Sequence, residues 1–190
     1  MISAILLAAG QSKRLIKENK LIKKFKNKAL INHSLQALVK SKIDKIIIVL
    51  GYQNKEVRKV IKKNKKNVFV FNKKFRLGMS SSINAGLKKV SRKDKGFVIV
   101  QSDMPFIKTS DINKICNSIS KKRYLVHALK FKNKIGNPIG FDSSVLKKFK
   151  RMKGDIGAKF MVKRLKNNTN FIKVLSKRVF KDLDLRKDFN

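Results

Sequence analysis

Four short apolar runs, each followed by a segment of helical period, constrain the fold of this chain more than anything else in it. They are "ISAILLA" at 2–8, "KIIIVLG" at 45–51, "NVFVFN" at 67–72 and "GFVIVQSD" at 96–103. Each is strand-length and almost continuously apolar, as strands buried on both faces are. Between them, 29–41 places Leu30, Leu35, Leu38 and Val39 near helical spacing, and 54–64 turns Val57, Val60 and Ile61 inward. Residues 81–90 read as a helix with serines as caps, and 109–120 as another capped helix. Strands alternating with helices of about a dozen residues predict βαβ units and a parallel sheet. The second half continues with strand patterns at 124–131, 137–142 and 170–175 and helix patterns at 143–152 and 157–166. No repeat, low-complexity block or linker interrupts the pattern, so one α/β domain over 1–190 is expected.

Composition narrows the class. An apolar content of 42% across 190 residues supports a real core and argues against disorder. The longest apolar runs are too short to span a bilayer, and the N-terminus lacks the features of a signal peptide. The single cysteine, Cys116, excludes an internal disulfide; its setting "INKICNSI" reads as the apolar face of a helix, hence a buried, inert thiol. A cytoplasmic protein with no membrane partner is the expectation. The formal charge of +38, from 49 basic and 11 acidic residues, raises the question of nucleic acid. The lysines are spread along the whole chain, which favours a generally basic, solvated surface over a dedicated polyanion patch.

In a parallel α/β sheet, ligands gather at the carboxyl ends of the strands. That rule selects three loops: "AAGQSKR", "FRLGMSSS" and "QSDMP". In the first, Gly10 lets the backbone approach an anion, Lys13 and Arg14 add charge, and the small Ala8 and Ala9 leave room for a planar group. It contains neither a P-loop nor a G-x-G-x-x-G fingerprint. In the second, Ser80, Ser81 and Ser82 meet a helix start, a place suited to an anion or a base edge and equally to helix capping. In the third, Asp103 stands at a strand's carboxyl end near the cations, a natural Mg²⁺ ligand. The terminal "KDLDL" adds Asp182 and Asp184, of which period two would turn one to the same side. His33, in a helix, and His127, in a strand, lack the spacing of a zinc site and read as structural. No serine sits in a nucleophile elbow.

These loops, in this order, resemble the MobA-like nucleotidyltransferases, and among them the molybdenum cofactor cytidylyltransferases. The opening L-A-A-G-x-S-x-R stands as Leu7-Ala8-Ala9-Gly10-Gln11-Ser12-Lys13-Arg14, with Asn19-Lys20-Leu21 beyond. The G-M-S-S-S-[IL]-x-x-G-L segment is intact from Gly78 to Leu87, with Asn72 upstream, and G-D-[MQ]-P is Ser102-Asp103-Met104-Pro105. "GNPIGF" (136–141), "KGDIGAKFMV" (153–162) and "DLDLRKDF" (182–189) resemble later family segments, so that the likeness covers essentially the full chain. Departures are Ile16 and Ser102, each in place of glycine, and Leu185-Arg186 in place of T-P.

The resemblance implies a Rossmann-like three-layer fold with a mostly parallel central sheet. It also implies transfer of CMP from CTP to the molybdopterin form of the molybdenum cofactor, with release of pyrophosphate and a molybdoenzyme as eventual recipient. On that reading Mg²⁺ falls to Asp103, with Asp184 as second carboxylate. Gly10, Lys13 and Arg14 would hold the triphosphate, and Lys20 would stabilise the pentavalent phosphorus. Ala8, Ala9 and Ser80 to Ser82, with Gly78 at the turn, would read ribose and base. Asn137 and Asp155 are candidate acceptor contacts, although Asp155 equally suits a cap on the helix at 157–166. Guanylyltransferases of the family tend to carry glycine at the position of Ala9 and to lack the serine run and the G-D-x-G-A segment. The alternatives are a transferase for another nucleotide or another phosphorylated acceptor, and, from a different class, a basic nucleic-acid-binding module. The last is poorly served by a chain with no Trp and two Tyr.

Overall fold

A computed structural model describes residues 1–12 and 19–189. In chain order the elements are β1 (Ile2–Ala8), β2 (Lys24–Phe25), β3 (Lys28–Ala29), α1 (Ile31–Val39), β4 (Lys45–Leu50), α2 (Asn54–Val60), β5 (Asn67–Phe71) and α3 (Met79–Leu87). There follow β6 (Gly96–Gln101), α4 (Thr109–Ser120), β7 (Val126–Phe131), β8 (Lys134–Asp142), α5 (Leu146–Phe149), α6 (Lys159–Arg164) and β9 (Thr169–Lys173). Seven strands form one sheet in the order β5-β4-β1-β6-β8-β7-β9; β2 and β3 form a separate hairpin.

The four strands legible as continuous apolar runs are the parallel half. β1 pairs with β4 on one side (Ile5 opposite Ile47) and with β6 on the other (Ile5 opposite Ile99), and β5 extends β4. The reason for their composition is that both faces are covered. Ala4, Leu6, Ala8, Ile46, Ile48, Val98 and Val100 pack toward α1, α2 and α4, whose contributions include Leu35, Leu38, Val57, Ile112, Ile115 and Ile119. Ile5, Ile47, Val49, Phe97 and Ile99 face the other way, onto Ile83 of α3 and residues of α5 and α6. The arrangement is a three-layer α/β fold. On the second face Phe97, Phe141 and Phe149, all fully buried, form an aromatic cluster with centroids 5.0–5.6 Å apart. Each such side chain contributes about 1.5–3 kcal/mol by burial.

β8 is the antiparallel strand of the sheet, paired with β6 and β7, while β7 and β9 are parallel. It begins at Lys134, three residues ahead of the expected start. The expected helix at 143–152 is a 3₁₀ turn (Ser143–Val145) followed by the four-residue α5, and that at 157–166 contracts to α6. α2 stops at Val60 because Ile61 is extended (φ −75°, ψ 123°). Among the described residues no helix is long and apolar enough to cross a membrane. The carboxyl ends of β1, β4, β5 and β6 emerge along one rim, and the site is built there.

Candidate active site

A cleft of about 560 Å³ opens on that rim. One wall is the exit of β1 with Leu7, Ala9, Gly10 and Gln11; its floor is the exit of β6 with Gln101 and Asp103. The facing wall runs from Phe75 to Met79 and on to Ser82, with Asp155 beside it. The three loops selected by the strand-end rule therefore do converge.

Not every residue of the first loop reaches the cleft. Ala8 is buried in the core opposite Leu50 and does not line it. Ala9 does, with its methyl beside Gly51: a Cβ on Gly51 would lie 2.8 Å from the Ala9 Cβ and 2.7 Å from the Cβ of Phe75. The Ala9 carbonyl accepts a hydrogen bond from Tyr52 N at 3.3 Å. Gly10 is not in the left-handed region, and a Cβ there would meet nothing within 4 Å. What glycine provides at this position is open space against exposed backbone. Lys13 and Arg14 lie outside the described residues. Ser12, at φ 51°, spans the loop from one side: its hydroxyl accepts from Lys20 N at 3.2 Å.

The serine run is a correction to the sequence reading. α3 begins at Met79 with Gly78 as its N-cap, so the serines lie inside the first turn and cap nothing. Ser80 donates to the Gly154 carbonyl at 2.6 Å and Ser81 to the carbonyls of Lys74 and Gly78, each at 2.8 Å. Asn72, buried at the end of β5, donates to the hydroxyls of Ser81 and Ser82. Only Ser82 of the three lines the cleft. Ser80 and Ser81 do not line the cleft, and their hydroxyls bond backbone carbonyls of the wall. Asp155 caps a helix, but a different one from that expected: its Oδ1 accepts from Met79 N at 3.0 Å, the first turn of α3. The "GDIGA" segment is thereby fastened to "GMSSS".

Asp103 lines the floor, and behind it Lys20 and Asp184, which do not themselves line the cleft, meet it: Lys20 Nζ stands 2.6 Å from Asp103 Oδ2 and 2.6 Å from Asp184 Oδ1. Asp184 is delivered by the C-terminal segment, where Leu183 N donates to the Asp103 carbonyl at 3.1 Å. Asp188 then accepts from the backbone of Asp184 and Leu185, and these bonds hold its own pKa below the usual carboxylate range. Burial, the largest influence on Lys20, favours its neutral form. The attraction and hydrogen bonds of Asp103, then of Asp184, outweigh it and lift the pKa above the ordinary lysine value. At Asp103 burial raises the pKa against the pull of Lys20, and the charge of Asp182 pushes in the same direction as burial. Asp103 Oδ1 is buried with no hydrogen-bond partner among the described residues. Two carboxylates gathered on one cation, one with an orphaned oxygen, suit a hard divalent ion that completes its shell with water and phosphate. Among the described residues no cluster of three or more His, Cys, Asp or Glu offers a self-sufficient metal cage.

The remaining candidates sort themselves by burial. Asn137 is buried in β8 and does not line the cleft; its Oδ1 has no partner among the described residues. His33 bonds the Phe25 carbonyl, and His127 is fully buried with Nδ1 2.7 Å from Ser118 Oγ, so both histidines are structural. Burial pushes the Cys116 thiol up to about 12, in keeping with an inert side chain. Ser102 fills the place of a glycine by donating to the Leu7 carbonyl at 2.6 Å, which ties the ends of β1 and β6 together. The strand-end rule selected the loops that hold Arg76 and Leu77, from the 3₁₀ turn Phe75–Leu77, and Gln101, but the sequence reading named none of the three as a site residue. For Gln101 a signal existed, a polar residue closing an apolar strand.

Sequence comparison finds the bifunctional protein GlmU of Clostridioides difficile (strain 630) 25% identical over 154 residues, which are 80% of this chain and 31% of that protein. The chain thus spans about a third of the length of that relative. Among solved structures, Rv0371c from Mycobacterium tuberculosis H37Rv superposes with a TM-score of 0.86 at 21% identity, over 99% of this chain and 95% of the other. A manganese complex of Rv0371c gives 0.75 at 19%, over 91% and 88%. The nucleotidyl transferase Mth528 from Methanothermobacter gives 0.84 at 17%, over 100% and 94%. At these identities the structural likenesses establish the fold. Residues 4–169 match the MobA-like NTP transferase domain, and the chain belongs to that family.

Proposed function

We propose that this nucleotidyltransferase moves CMP from CTP to the terminal phosphate of the molybdopterin form of the molybdenum cofactor. The observation that carries the reading is the joint wall made by "GMSSS" and "GDIGA", the two segments that set cytidylyl apart from guanylyl members in the resemblance. Met79 N bonded to Asp155, and Ser80 bonded to Gly154, make them one unit facing Ala9 and Gly10 across the cleft.

In this reading the base and ribose lie between Ala9–Gly10 and the Gly78–Ser82 wall, and Lys13 and Arg14 hold the triphosphate. An oxygen of the acceptor phosphate attacks the α-phosphorus in line, the bond to the bridging oxygen breaks, and pyrophosphate leaves. Two anions must approach, so catalysis is mainly positioning and neutralisation of charge. Asp103 and Asp184 would hold Mg²⁺, which when bound supplies charge neutralisation at the reacting phosphates. Lys20, adjacent to both, would carry positive charge to the phosphorus and the departing pyrophosphate. The product would pass to a molybdoenzyme.

A second reading is transfer of another nucleotide, or transfer to another small phosphorylated acceptor. The family match favours it, because the domain that residues 4–169 match is named for NTP transfer in general and specifies neither a nucleotide nor an acceptor. A panel of CTP, GTP, UTP and ATP with Mg²⁺, read by thermal shift, separates the two. A ligand at a hundred times its Kd adds about 2.7 kcal/mol, or about 5–10 °C at this chain length. CTP giving the largest shift, and pyrophosphate release that needs molybdenum cofactor, is the expected outcome. A larger shift with GTP, or release with a different acceptor only, overturns the proposal.

A further inference from the structure

The contacts of Lys20 point to a role ahead of any chemistry. Its ammonium sits 2.6 Å from one oxygen of each carboxylate that would hold the metal. The three side chains are largely withdrawn from water, at 13%, 17% and 30% exposure. Solvent therefore screens the arrangement little. The lysine is also held in place through its backbone, by the Ser12 hydroxyl on Lys20 N and by Lys23 N on the Lys20 carbonyl. Its four-carbon stem, in contrast, is flexible and lets the ammonium swing while the backbone stays fixed.

A divalent ion needs the same lone pairs. Placed beside Asp103 and Asp184 it would stand within a few ångströms of the ammonium, and two cations at that separation in a poorly screened site repel strongly. No third His, Cys, Asp or Glu among the described residues gathers with the pair to compensate. A polyphosphate removes the conflict from both sides. It offers oxygens to the ion, and it offers Lys20 another anion to follow.

We propose that Lys20 is the metal's placeholder: it neutralises Asp103 and Asp184 in the free enzyme and yields them only when nucleotide arrives. The enzyme then takes up metal with the nucleotide and does not store it beforehand. This rests on the reading of Asp103 and Asp184 as metal ligands, but not on the choice of CTP or of acceptor. It gives Lys20 a positioning and gating task in addition to any contact with phosphate. It also explains why a flexible lysine, with its movable point charge, stands where an arginine's rigid fork would not let go.

The test is Mn²⁺ binding to the full chain, followed by electron paramagnetic resonance, with and without α,β-methylene-CTP, which cannot release pyrophosphate. Wild type should bind Mn²⁺ alone weakly and at least about tenfold more tightly with the nucleotide. Lys20→Met should bind Mn²⁺ alone at least about tenfold more tightly than wild type, with most of the nucleotide dependence gone. Lys20→Gln, neutral yet able to bond both carboxylates, should do the same and guards against a packing artefact in the methionine variant. Unchanged or weaker Mn²⁺ binding in both variants overturns the placeholder role while leaving the metal ligands standing, provided that Asp103→Ala on the Lys20→Met background lowers the affinity. Tight binding that survives Asp103→Ala puts the ion elsewhere and overturns both.

Discussion

Gly78 and Gly154 touch backbone to backbone: a Cβ on Gly78 would lie 2.6 Å from both the carbonyl carbon and the carbonyl oxygen of Gly154. Gly78 also holds φ 95° and ψ 177°, a region that side chains avoid. The contact locks the turn before α3 onto the segment that leads to Asp155, and so sets the width of the cleft. Gly78→Ala should cost about 2 kcal/mol or more through combined strain and overlap, lowering Tm by about 4–8 °C. Urea or thermal melts check this. A loss under about 0.5 kcal/mol would mean that the two backbones can separate freely.

Asp155 is placed by the same contact, with Oδ1 on Met79 N. Removing an N-terminal partner of a helix costs about 1 kcal/mol. Asp155→Ala should show that loss together with a raised KM, because the wall carrying Ser82 is no longer pinned. Asp155→Asn, which still accepts from Met79 N, should restore both. Stability restored without KM would instead mean that the carboxylate charge itself meets the substrate.

The parallel half of the fold was legible because burial on both faces leaves an uninterrupted apolar run, as in Ile46 to Leu50. The second half was harder because its signals are weaker. The β2–β3 hairpin turns on Lys26-Asn27, with φ of 45° and 65°, and the β7–β8 hairpin carries Lys132 at φ 49°. Neither turn contains the glycine that marks such hairpins in sequence. At the site, Asp103, Gly10 and Ser82 were legible from the strand-end rule. The direction of the Ser80 and Ser81 hydroxyls was not, since a serine in a first helical turn can face a ligand or a neighbouring carbonyl equally well. The alternation assumed for Asp182 and Asp184 fails because residues 181–184 form no strand. Asp184 reaches Lys20 through the Leu183–Asp103 backbone bond and the turn closed by Asp188.

Arg76 lines the cleft from the 3₁₀ turn and is exposed, so its loss should leave stability within about 0.5 kcal/mol. It is a cation on the wall opposite Gly10, where an anionic substrate must pass. Arg76→Ala should raise KM for one substrate by about 3–10-fold with little change in kcat, the pattern of lost binding shared by ground and transition states. Equal KM values for both substrates would remove Arg76 from the site.

His127 gives the fold an acid limit. Burial lowers its pKa from 6.5 to about 4 in the native state. As pH falls below 6.5 the unfolded chain takes up a proton that the native chain refuses. Stability therefore declines between pH 6.5 and about 4, by up to about 3 kcal/mol, and this contribution levels off below. His127→Gln should lose that slope. Urea melts at pH 7, 5.5 and 4.5 compare the two, and parallel declines would show that other groups, such as the carboxylates, carry the whole effect.

The most direct measurement is pyrophosphate release from CTP with molybdenum cofactor and Mg²⁺, in wild type and Asp103→Ala side by side. Release that needs both substrates and the metal, and falls by at least about a hundredfold in the variant, is expected. Turnover unchanged in Asp103→Ala would contradict the placement of the reaction at this cleft.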